Sequence, residues 1–576
     1  MFICKISEKK NLPPLPIIEN YQSYSPQKSS IEFKYNPECI ILDIGETHEN
    51  FSVILGSIFN VDYLCRDIPN LSNLSTAQKI IFLQQRDPIN FPNLLKGSFI
   101  LLIINKNNNN VLVIKSPLNR KHLFFSCNNG CVYLSTSVPL IKRSNNHVFQ
   151  INENRIIDLQ ARAANISDTT FYTGIDQIEG GSIIEIKKCS DVSKRLFFTF
   201  KIDTEKKSYL EYAENLNKTL EIAIKRNIRT GDNILCEMSG GLDSSSIAAR
   251  LAQYQEKLTC ISNHSTEKSL IEVGIDPRKS NEKQLNDFEN FYKNTKIIRI
   301  DERFIECGYQ DITKFCFENS SGPEYGITNA LWVYAFYKTA KDLGFNKIFN
   351  GSFGDDAYSY PYAPAGFIGF IKSKLPEIIK TMRQKNKHKK LERSVTFSYL
   401  QESTKNIIRN EIARNSKKNR QEKLYRTNFS INSCSALDTA LFNSTNIEMI
   451  DPLSDADLIE CCLRIPENAF YHGAINRYIT RISNHGILPE SIRSNFIKGA
   501  QSPRWHVQLR KELPYYFSLL QKFRKNDLIS KITDLEQLER CMKYFSLIPE
   551  NTIKNYPEIM WLPYTLHICE WISLHD

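Results

Sequence analysis

Short apolar runs separated by polar turns characterise the first third of the chain. They occur at residues 99–104, 111–114, 122–125, 131–135, 170–174 and 181–186. Such runs predict strands, and the Asn-rich segment 107–110 between the first two predicts a hairpin. One earlier strand candidate lies at 40–42. We therefore predict an antiparallel β-rich domain that ends near residue 200.

From residue 209 the pattern changes, because apolar runs now alternate with stretches of helical periodicity. Strand candidates lie at 234–238, 258–262, 296–300 and 347–349, and helix-like stretches at 209–229, 281–293 and 331–343. This alternation predicts a doubly wound parallel sheet. After residue 450 a turn is followed by an amphipathic helix, and helical patterns continue to the end. The predicted fold class is α/β, with a β-rich domain at 1–200 and a parallel α/β domain with a helical C-terminal part at 201–576.

The strand at 234–238 runs into a turn suited to binding phosphate. The turn and the start of the next helix read Ser239, Gly240, Gly241, Leu242, Asp243, Ser244 and Ser245. Two adjacent glycines let the backbone bring several N–H groups close to an anion, and the helix N-terminus favours negative charge. No Gly-Lys-Ser/Thr follows, and the third glycine of a dinucleotide fingerprint is missing. We predict a phosphate or pyrophosphate cradle of another type.

Asp243 and a second loop add a candidate metal site. A carboxylate beside a polyphosphate requires a cation between them, and Mg²⁺ is the usual one. The Gly-rich acidic loop 350–356 follows the strand candidate 347–349. In a doubly wound sheet, both loops would lie at the carboxyl edge of the strands, where ligands bind. Asp243 and Asp355 are therefore the predicted Mg²⁺ ligands.

Composition narrows the class of protein. The 576 residues are 41% hydrophobic and 24% charged, which is typical of globular proteins. No long apolar run predicts a membrane span or a secretory signal. The fifteen cysteines are odd in number and form no dense framework, which favours reduced thiols in a cytoplasmic protein, and none shows zinc spacing. The net charge of +11 would suit an acidic or phosphate-bearing partner.

The segment from Ser239 to Ser245 resembles the signature of the PP-loop ATP pyrophosphatases, which split ATP into AMP and pyrophosphate. Over roughly residues 95–570 the chain is similar to the asparagine-synthetase-like amide ligases within that group. The resemblance implies ATP and Mg²⁺ as cofactors, and catalytic roles for Glu448 and Lys498. Such a lysine would stabilise negative charge on the adenylate and the tetrahedral intermediate. The implied nucleotide contacts are Met238, Ser239, Gly240, Gly241, Leu242, Asp243, Ser244, Ser245, Ser262, Asn350 and Gly351.

The N-terminal half resembles the glutaminase-type (Ntn) domain of asparagine synthetases. The similar segments are 97–99, 119–125, 135–137 and 173–181. In those enzymes the nucleophile is a cysteine directly after Met, and its own α-amine serves as the base. This chain has Phe2 there, and Cys4 lies two residues further on. We therefore expect a degenerate glutaminase domain, with nitrogen supplied by free ammonia or by an amine of the substrate.

Further departures from asparagine synthetase lie in the second loop. Ser352 replaces an acidic residue, Phe353 a glycine and Asp356 a glutamate. These changes argue against asparagine as the product. By its layout, its lost cysteine and its C-terminal segment 562–568, the chain looks most like the lasso-peptide macrolactam synthetases. That resemblance implies a precursor peptide as substrate, adenylation of an Asp or Glu side chain, ring closure by the N-terminal amine, and a leader-peptidase or leader-recognition protein as partner.

Other functions stay open from the sequence. One is a small-molecule ligase, either an ammonia-dependent asparagine synthetase or a β-lactam-synthetase-like enzyme. Others are a PP-loop enzyme acting on tRNA and a nucleotide-binding scaffold. The basic run at 370–426 fits a solvated helical insertion, a patch for an acidic peptide or, with few aromatics, RNA. The glutaminase-like half and the region of Lys498 argue against nucleic acid, and the intact PP-loop motif argues against a scaffold.

Overall fold

A computed structural model describes most of the chain. The described residues are 2–7, 15–16, 18, 21–25, 31–37, 42–68, 71–145, 147–160, 169–188, 191–200, 203–360, 400–401, 405–406, 436–473, 475–555, 559 and 561–576. Apart from 400–401 and 405–406, the basic run at 370–426 lies outside them.

The N-terminal part contains two antiparallel sheets of six strands each. The strands are β1 (Phe2–Ser7), β2 (Gln22–Tyr24), β3 (Ile31–Tyr35), β4 (Leu42–Glu46), β5 (Asn50–Ile58), β6 (Gly97–Asn105), β7 (Val111–Lys115), β8 (Phe124–Asn128), β9 (Cys131–Ser135), β10 (Asp176–Gln177), β11 (Ser182–Lys188) and β12 (Asp191–Leu196). The first sheet has the order β10-β8-β9-β1-β3-β2, and the second β12-β11-β7-β6-β5-β4. The predicted hairpin is confirmed as β6 and β7. The stretch 170–174 forms only an isolated bridge, at Tyr172.

The N-terminal part has four layers, in which the two sheets pack face to face and helices cover the outer face of each sheet. Along β6, Ile100 and Leu102 share a core with β1 and β3 of the other sheet, whereas Leu101 and Ile103 pack against helices. The helices on that side are α1 (Val61–Cys65), α2 (Thr76–Arg86) and α3 (Phe91–Leu94). On the outer face of the first sheet lie α4 (Val138–Ser144) and α5 (Glu153–Gln160). Because both faces are buried, β6 has a continuous apolar sequence.

The second part contains a parallel sheet of five strands in the order β15-β14-β13-β16-β17. The strands are β13 (Ile234–Glu237), β14 (Leu258–Asn263), β15 (Thr295–Ile300), β16 (Lys347–Phe349) and β17 (Glu448–Ile450). Helix α6 (Tyr209–Lys225) precedes them, and the described helices between them are α7 (Leu242–Tyr254), α8 (Glu267–Glu272), α9 (Glu282–Phe291), α10 (Tyr309–Asn319), α11 (Ile327–Asp342) and α12 (Ala436–Thr445). The chain moves outward from β13 to β15 and returns to β16 on the other side of β13. The strand order therefore reverses between β13 and β16, which is where doubly wound sheets bind ligands.

Helices cover both faces of this sheet and form the C-terminal part. Helices α6, α7 and α9 share a core with Cys236 on one face, and α10, α11 and α12 share a core with Leu235 on the other. The remaining elements are α13 (Ala456–Arg464), the hairpin β18 (Tyr471–His472) and β19 (Ile475–Asn476), α14 (Tyr478–Ser483), α15 (Glu490–Arg493), α16 (Trp505–Lys525), α17 (Asp527–Ile532), α18 (Leu535–Leu547) and α19 (Leu562–Ser573). The predicted α/β fold class, with a β-rich part followed by a parallel sheet and helices, is confirmed. Among the helices that the structure describes, none has the length and apolar character needed to cross a membrane.

Candidate nucleotide site

The first loop connects β13 to α7 and is held by its own side chains. The Ser244 hydroxyl accepts a hydrogen bond from the amide of Ser239 (3.1 Å), and the Ser239 hydroxyl accepts one from the amide of Gly241 (3.2 Å). Gly240 has φ +76°, in the left-handed region that favours glycine. Leu242 then begins a helix of 13 residues, whose N-terminus carries partial positive charge.

Asn281 ties this loop to the end of β14. Its side-chain amide donates to the carbonyl oxygens of Ser239 (3.3 Å) and Asn263 (2.9 Å) and lies 3.2 Å from the hydroxyl of Ser262. Ser262, a predicted nucleotide contact, is 1% exposed. The amide of Met238 extends the strand pairing by donating to the carbonyl of Ile261 (2.8 Å). Sequence reasoning missed Asn281, because it identified only the start of a helix there.

The second loop follows β16 and packs directly against the first. A Cβ added at Gly351 would lie 3.1 Å from the amide nitrogen of Ser244, and one added at Gly354 would lie 2.2 Å from Cγ of Asp243. The close approach of the loops therefore leaves no room for a Cβ at Gly354 and little room for one at Gly351. Asn350 precedes them, is 2% exposed, and its amide donates to the carbonyl of Ile450 (2.9 Å). The two loops meet at the switch point of the sheet.

Arg477 bridges the two predicted metal ligands. Its Nη2 lies 2.5 Å from Oδ1 of Asp355, and its Nη1 lies 3.5 Å from Oδ2 of Asp243. Burial raises the pKa of Asp243 to about 6, although Arg477 and the nearby Ser359 hydroxyl oppose the rise. The other carboxylate oxygen of Asp243, Oδ1, is buried and makes no hydrogen bond to any residue that the structure describes. No sequence pattern pointed to Arg477, which precedes the short helix α14 with a φ of +55°.

Lys498 also reaches this edge. Its Nζ lies 3.5 Å from Oδ2 of Asp355, and its side chain is 73% exposed. The loop that carries it is held two residues later, where the amide of Ala500 donates to the carbonyl of Lys279 (3.2 Å). Lys498 is thus the predicted catalytic residue that the structure brings to the two loops.

Glu448 lies elsewhere. It is the first residue of β17, level with Lys347 at the start of β16, and therefore at the amino edge of the sheet. Its carboxylate lies 3.1 Å from Nζ of Lys121 and 3.6 Å from Nζ of Lys347. Burial opposes ionisation, but these two lysines hold the pKa of Glu448 below its ordinary value. The structure does not bring Glu448 to the loops, so its position lends no support to the predicted catalytic role.

Comparison with known proteins identifies the family. The model of the family described as "Asparagine synthase" matches residues 215–544, which is more than half of the chain. The chain belongs to the asparagine synthase family.

Similarity to individual proteins is weak. No curated protein sequence matches the chain. One similar solved structure is described as the allosteric regulatory enzyme of purine biosynthesis, with 8% identity, a TM-score of 0.22, and coverage of 47% of this chain and 66% of that one. Another is the glutamine phosphoribosylpyrophosphate amidotransferase from B. subtilis complexed with ADP and GMP, with 10% identity, a TM-score of 0.21, and coverage of 44% and 65%. The chain spans just under two thirds of each of these two proteins.

Members of the asparagine synthase family are AMP-forming amide ligases that use ATP with Mg²⁺. The residues present fit that ion. Asp243 offers a buried oxygen that receives no hydrogen bond from the residues that the structure describes, and Arg477 holds Asp355 beside it. Mg²⁺ is commonly held by one or two carboxylates together with phosphate oxygens of the substrate. No cluster of three or more His, Cys, Asp or Glu side chains suited to a metal occurs in the described ranges.

The first strand of the N-terminal part is buried, together with the two residues on which the expectation of a degenerate glutaminase domain rests. Phe2 is fully buried in β1, where its amide donates to the Thr136 hydroxyl (3.3 Å). Cys4 lies in the core between the two sheets, and burial raises the pKa of its thiol well above the usual range. Exposure and ionisation both favour nucleophilic attack by a thiol. The Cys4 thiol is buried, and its raised pKa keeps it protonated at neutral pH.

Proposed function

We propose that the chain is an ATP- and Mg²⁺-dependent, AMP-forming amide ligase whose substrate is a precursor peptide. An Asp or Glu side-chain carboxylate of that peptide is adenylated, and the peptide's N-terminal amine then displaces AMP to close a macrolactam. The observation that best supports the ligase chemistry is the contact between the two loops, where Gly354 packs against the carboxylate of Asp243. This contact lies at the ligand-binding edge of a doubly wound sheet.

In this proposal the residues act as follows. The first loop, from Ser239 to Ser245, holds the polyphosphate of ATP on backbone amides and on the N-terminus of α7. The backbone of Met238, together with Ser262, Asn350 and Gly351, contacts the AMP portion. Asp243 and Asp355 hold Mg²⁺, which when bound neutralises charge on the phosphates.

The first step forms a bond between the substrate carboxylate and the α-phosphorus and breaks the bond to pyrophosphate. Negative charge then grows on the leaving pyrophosphate. Lys498 and Arg477 stand beside Asp355, where fixed positive charge stabilises such a transition state by several kcal/mol at most. In the second step an amine attacks the acyl carbon and AMP leaves.

Three sequence features support a peptide rather than aspartate as substrate. The cysteine nucleophile is replaced by a buried Phe2, Cys4 is inside a hydrophobic core, and Ser352 stands where the second loop of asparagine synthetase carries an acidic residue. An enzyme without its own ammonia supply can use an amine of the substrate, and an intramolecular amine reaches a high effective concentration. We also propose a leader-peptidase or leader-recognition protein as partner, a cytoplasmic location, and a boundary near residue 200, between β12 and α6.

Pyrophosphate release tests the proposal. The protein is supplied with Mg–ATP and, in separate reactions, a peptide with a free N-terminus and an internal Asp or Glu, the same peptide with an acetylated N-terminus, aspartate with ammonia, and tRNA. We expect release with the free peptide and a product lighter by one water than the peptide. The acetylated peptide should be adenylated without ring closure. Stimulation by aspartate and ammonia alone would instead favour an asparagine synthetase, and stimulation by tRNA alone would exclude both ligases.

Asp243→Asn should abolish AMP formation while leaving the fold intact, because the amide cannot replace the charged metal ligand. Asp301→Asn is the matched control. Asp301 also follows a strand of the same sheet, but it pairs with Arg303. Near-normal turnover in Asp243→Asn would contradict the metal role.

A further inference from the structure

Two cations of the N-terminal part form largely buried ion pairs with the second part of the molecule. They are neighbours in the segment between β7 and β8. Arg120 places its Nη2 3.5 Å from Oδ2 of Asp451, and Lys121 places its Nζ 3.1 Å from Oε1 of Glu448. Arg120 also contacts Asp438 (3.8 Å), and its side chain is 18% exposed. The two parts of the chain are thus joined by largely buried ion pairs.

Asp451 extends the Arg120 contact to the second loop. Its Oδ2, the oxygen nearest to Arg120, accepts a hydrogen bond from the amide of Phe353 (2.9 Å), and its Oδ1 accepts one from the amide of Leu453 (3.0 Å). Asp451 immediately follows β17, whereas Phe353 stands two residues before Asp355. One carboxylate therefore joins a residue of the N-terminal part to the backbone of the loop that carries a proposed metal ligand.

This bond fixes the middle of the second loop. The loop begins where the amide of Asn350 bonds to the carbonyl of Ile450. Between that point and Ser359, the loop's further backbone-to-backbone hydrogen bonds in the described structure run within the segment itself, such as Gly354 to Gly351 (3.3 Å). Its far end is held by the Thr480 hydroxyl, which donates to the carbonyl of Tyr358 (2.7 Å). Gly354 must also remain against the Asp243 carboxylate, with no room for a Cβ. A shift of the Phe353 amide would therefore move Gly354 and Asp355 away from the first loop.

Arg120 is the cation that faces this carboxylate. The Asp451 side chain is 0% exposed. A fully buried carboxylate is strongly disfavoured unless a positive charge and hydrogen bonds compensate it. With Arg120 removed, the two amide hydrogen bonds would have to hold an unpaired buried charge.

We propose that the N-terminal part serves as a positioning clamp for the nucleotide site: Arg120 holds Asp451, and Asp451 holds the Phe353 amide so that Asp355 stands beside Asp243. Arg120 is a positioning residue in this arrangement, because it acts through Asp451. The inference rests on the proposed function, in which Asp355 is a metal ligand. It gives a role to a domain whose nucleophile position is occupied by a buried phenylalanine.

Nucleotide affinity of the full chain tests the clamp. We would measure binding of the non-hydrolysable analogue α,β-methylene-ATP by calorimetry, with Mg²⁺ and with EDTA. Arg120→Met should weaken binding with Mg²⁺ on the order of tenfold, as expected for a lost contact to a charged group. Binding in EDTA should change little, because the first loop is intact. Arg120→Lys, which keeps the charge, should recover part of the loss.

Lys121→Met is the matched control. Lys121 is adjacent to Arg120 and equally part of the interface, but its partner Glu448 lies at the opposite edge of the sheet. We expect it to lower thermal stability without a selective loss of Mg²⁺-dependent binding. Hydrogen exchange of segment 351–356 in the nucleotide-free protein gives a second readout, and it should rise in Arg120→Lys but not in Lys121→Met.

The outcomes separate the clamp from the proposed function. If wild-type protein binds the analogue no better with Mg²⁺ than with EDTA, the proposed metal site is wrong and the clamp with it. If the wild type shows Mg²⁺-dependent binding that Arg120→Met retains, or that both variants lose equally, the clamp alone is overturned.

Discussion

Replacing Arg477 by methionine removes the guanidinium that lies between Asp243 and Asp355. Two opposite unit charges about 4 Å apart interact by about 4 kcal/mol at an effective dielectric constant of about 20. The contact to Asp355 contributes far less than this, because that side chain is 40% exposed and exposed pairs contribute about 1 kcal/mol or less. Asp243 is only 16% exposed, so its contact to Arg477 carries more of the effect.

The protein can limit this loss by protonating Asp243, whose pKa is already raised to about 6 by burial. We therefore expect the variant to lose about 2 kcal/mol of stability in metal-free buffer, between the values for an exposed pair and for a broken buried one. A cation at one hundred times its Kd stabilises a folded protein by about 2.7 kcal/mol. Mg²⁺ should thus offset the loss in Arg477→Met, without nucleotide.

Urea unfolding in Mg²⁺ and in EDTA measures this difference, and Mn²⁺ binding followed by electron paramagnetic resonance measures the site directly. The wild type should bind free Mn²⁺ weakly, because Arg477 already supplies the positive charge. Arg303→Met is the control, since Arg303 pairs with Asp301 at another strand end of the same sheet. If Arg477→Met binds Mn²⁺ no better than the wild type, and its stability does not respond to metal, the guanidinium does not occupy the place of a cation.

Three further predictions concern the same site. Gly354→Ala should lower Mg²⁺-dependent nucleotide affinity about a hundredfold or more in calorimetry, because a Cβ 2.2 Å from Cγ of Asp243 must separate the loops; unchanged affinity would show that the loops yield freely. Affinity for Mg–ATP should fall as the pH is lowered through about 6, because the raised pKa of Asp243 makes it protonate there and a protonated carboxyl binds metal poorly; a flat profile between pH 5 and 7.5 would contradict this. Lys498→Ala should slow single-turnover AMP formation far more than it weakens ATP binding, and equal losses would remove it from the chemistry.

Where local sequence determined the fold, the predictions were confirmed. β6 and β13 are buried on both faces, so they appear as uninterrupted apolar runs. The strands before residue 60 gave little signal, although β1 lies inside the first sheet and pairs with β9 and β3. The six residues of β1 include Lys5, which interrupts the apolar pattern. The strand is stabilised by pairing with β9, more than a hundred residues away, which the local sequence does not reveal. β12 is exposed along its whole length and has no hydrophobic pattern to detect.

The candidate site divides in the same way. The glycines and aspartates of the two loops could be predicted, because each loop directly follows a recognisable parallel strand. Asn281 and Arg477 could not, because each acts through tertiary contacts and neither belongs to a motif. Arg477 in particular has a positive φ before a helix of six residues, and no sequence pattern predicts such a conformation for arginine.

Glu448 and Asp451 show that a choice only three residues off along a strand can move a predicted site residue to the wrong edge of the sheet. They stand three positions apart, at the first residue of β17 and just beyond its last. At about 3.3 Å per residue, this separates them by about 10 Å along the strand and places them at opposite edges of the sheet. The sequence resemblance selected Glu448, which faces Lys121 and Lys347, whereas Asp451 bonds to the second loop. Ligands of a doubly wound sheet bind beyond the carboxyl ends of its strands. If residues 448–450 are taken as a strand, this rule selects Asp451, which follows the carboxyl end, and not Glu448, which begins the strand.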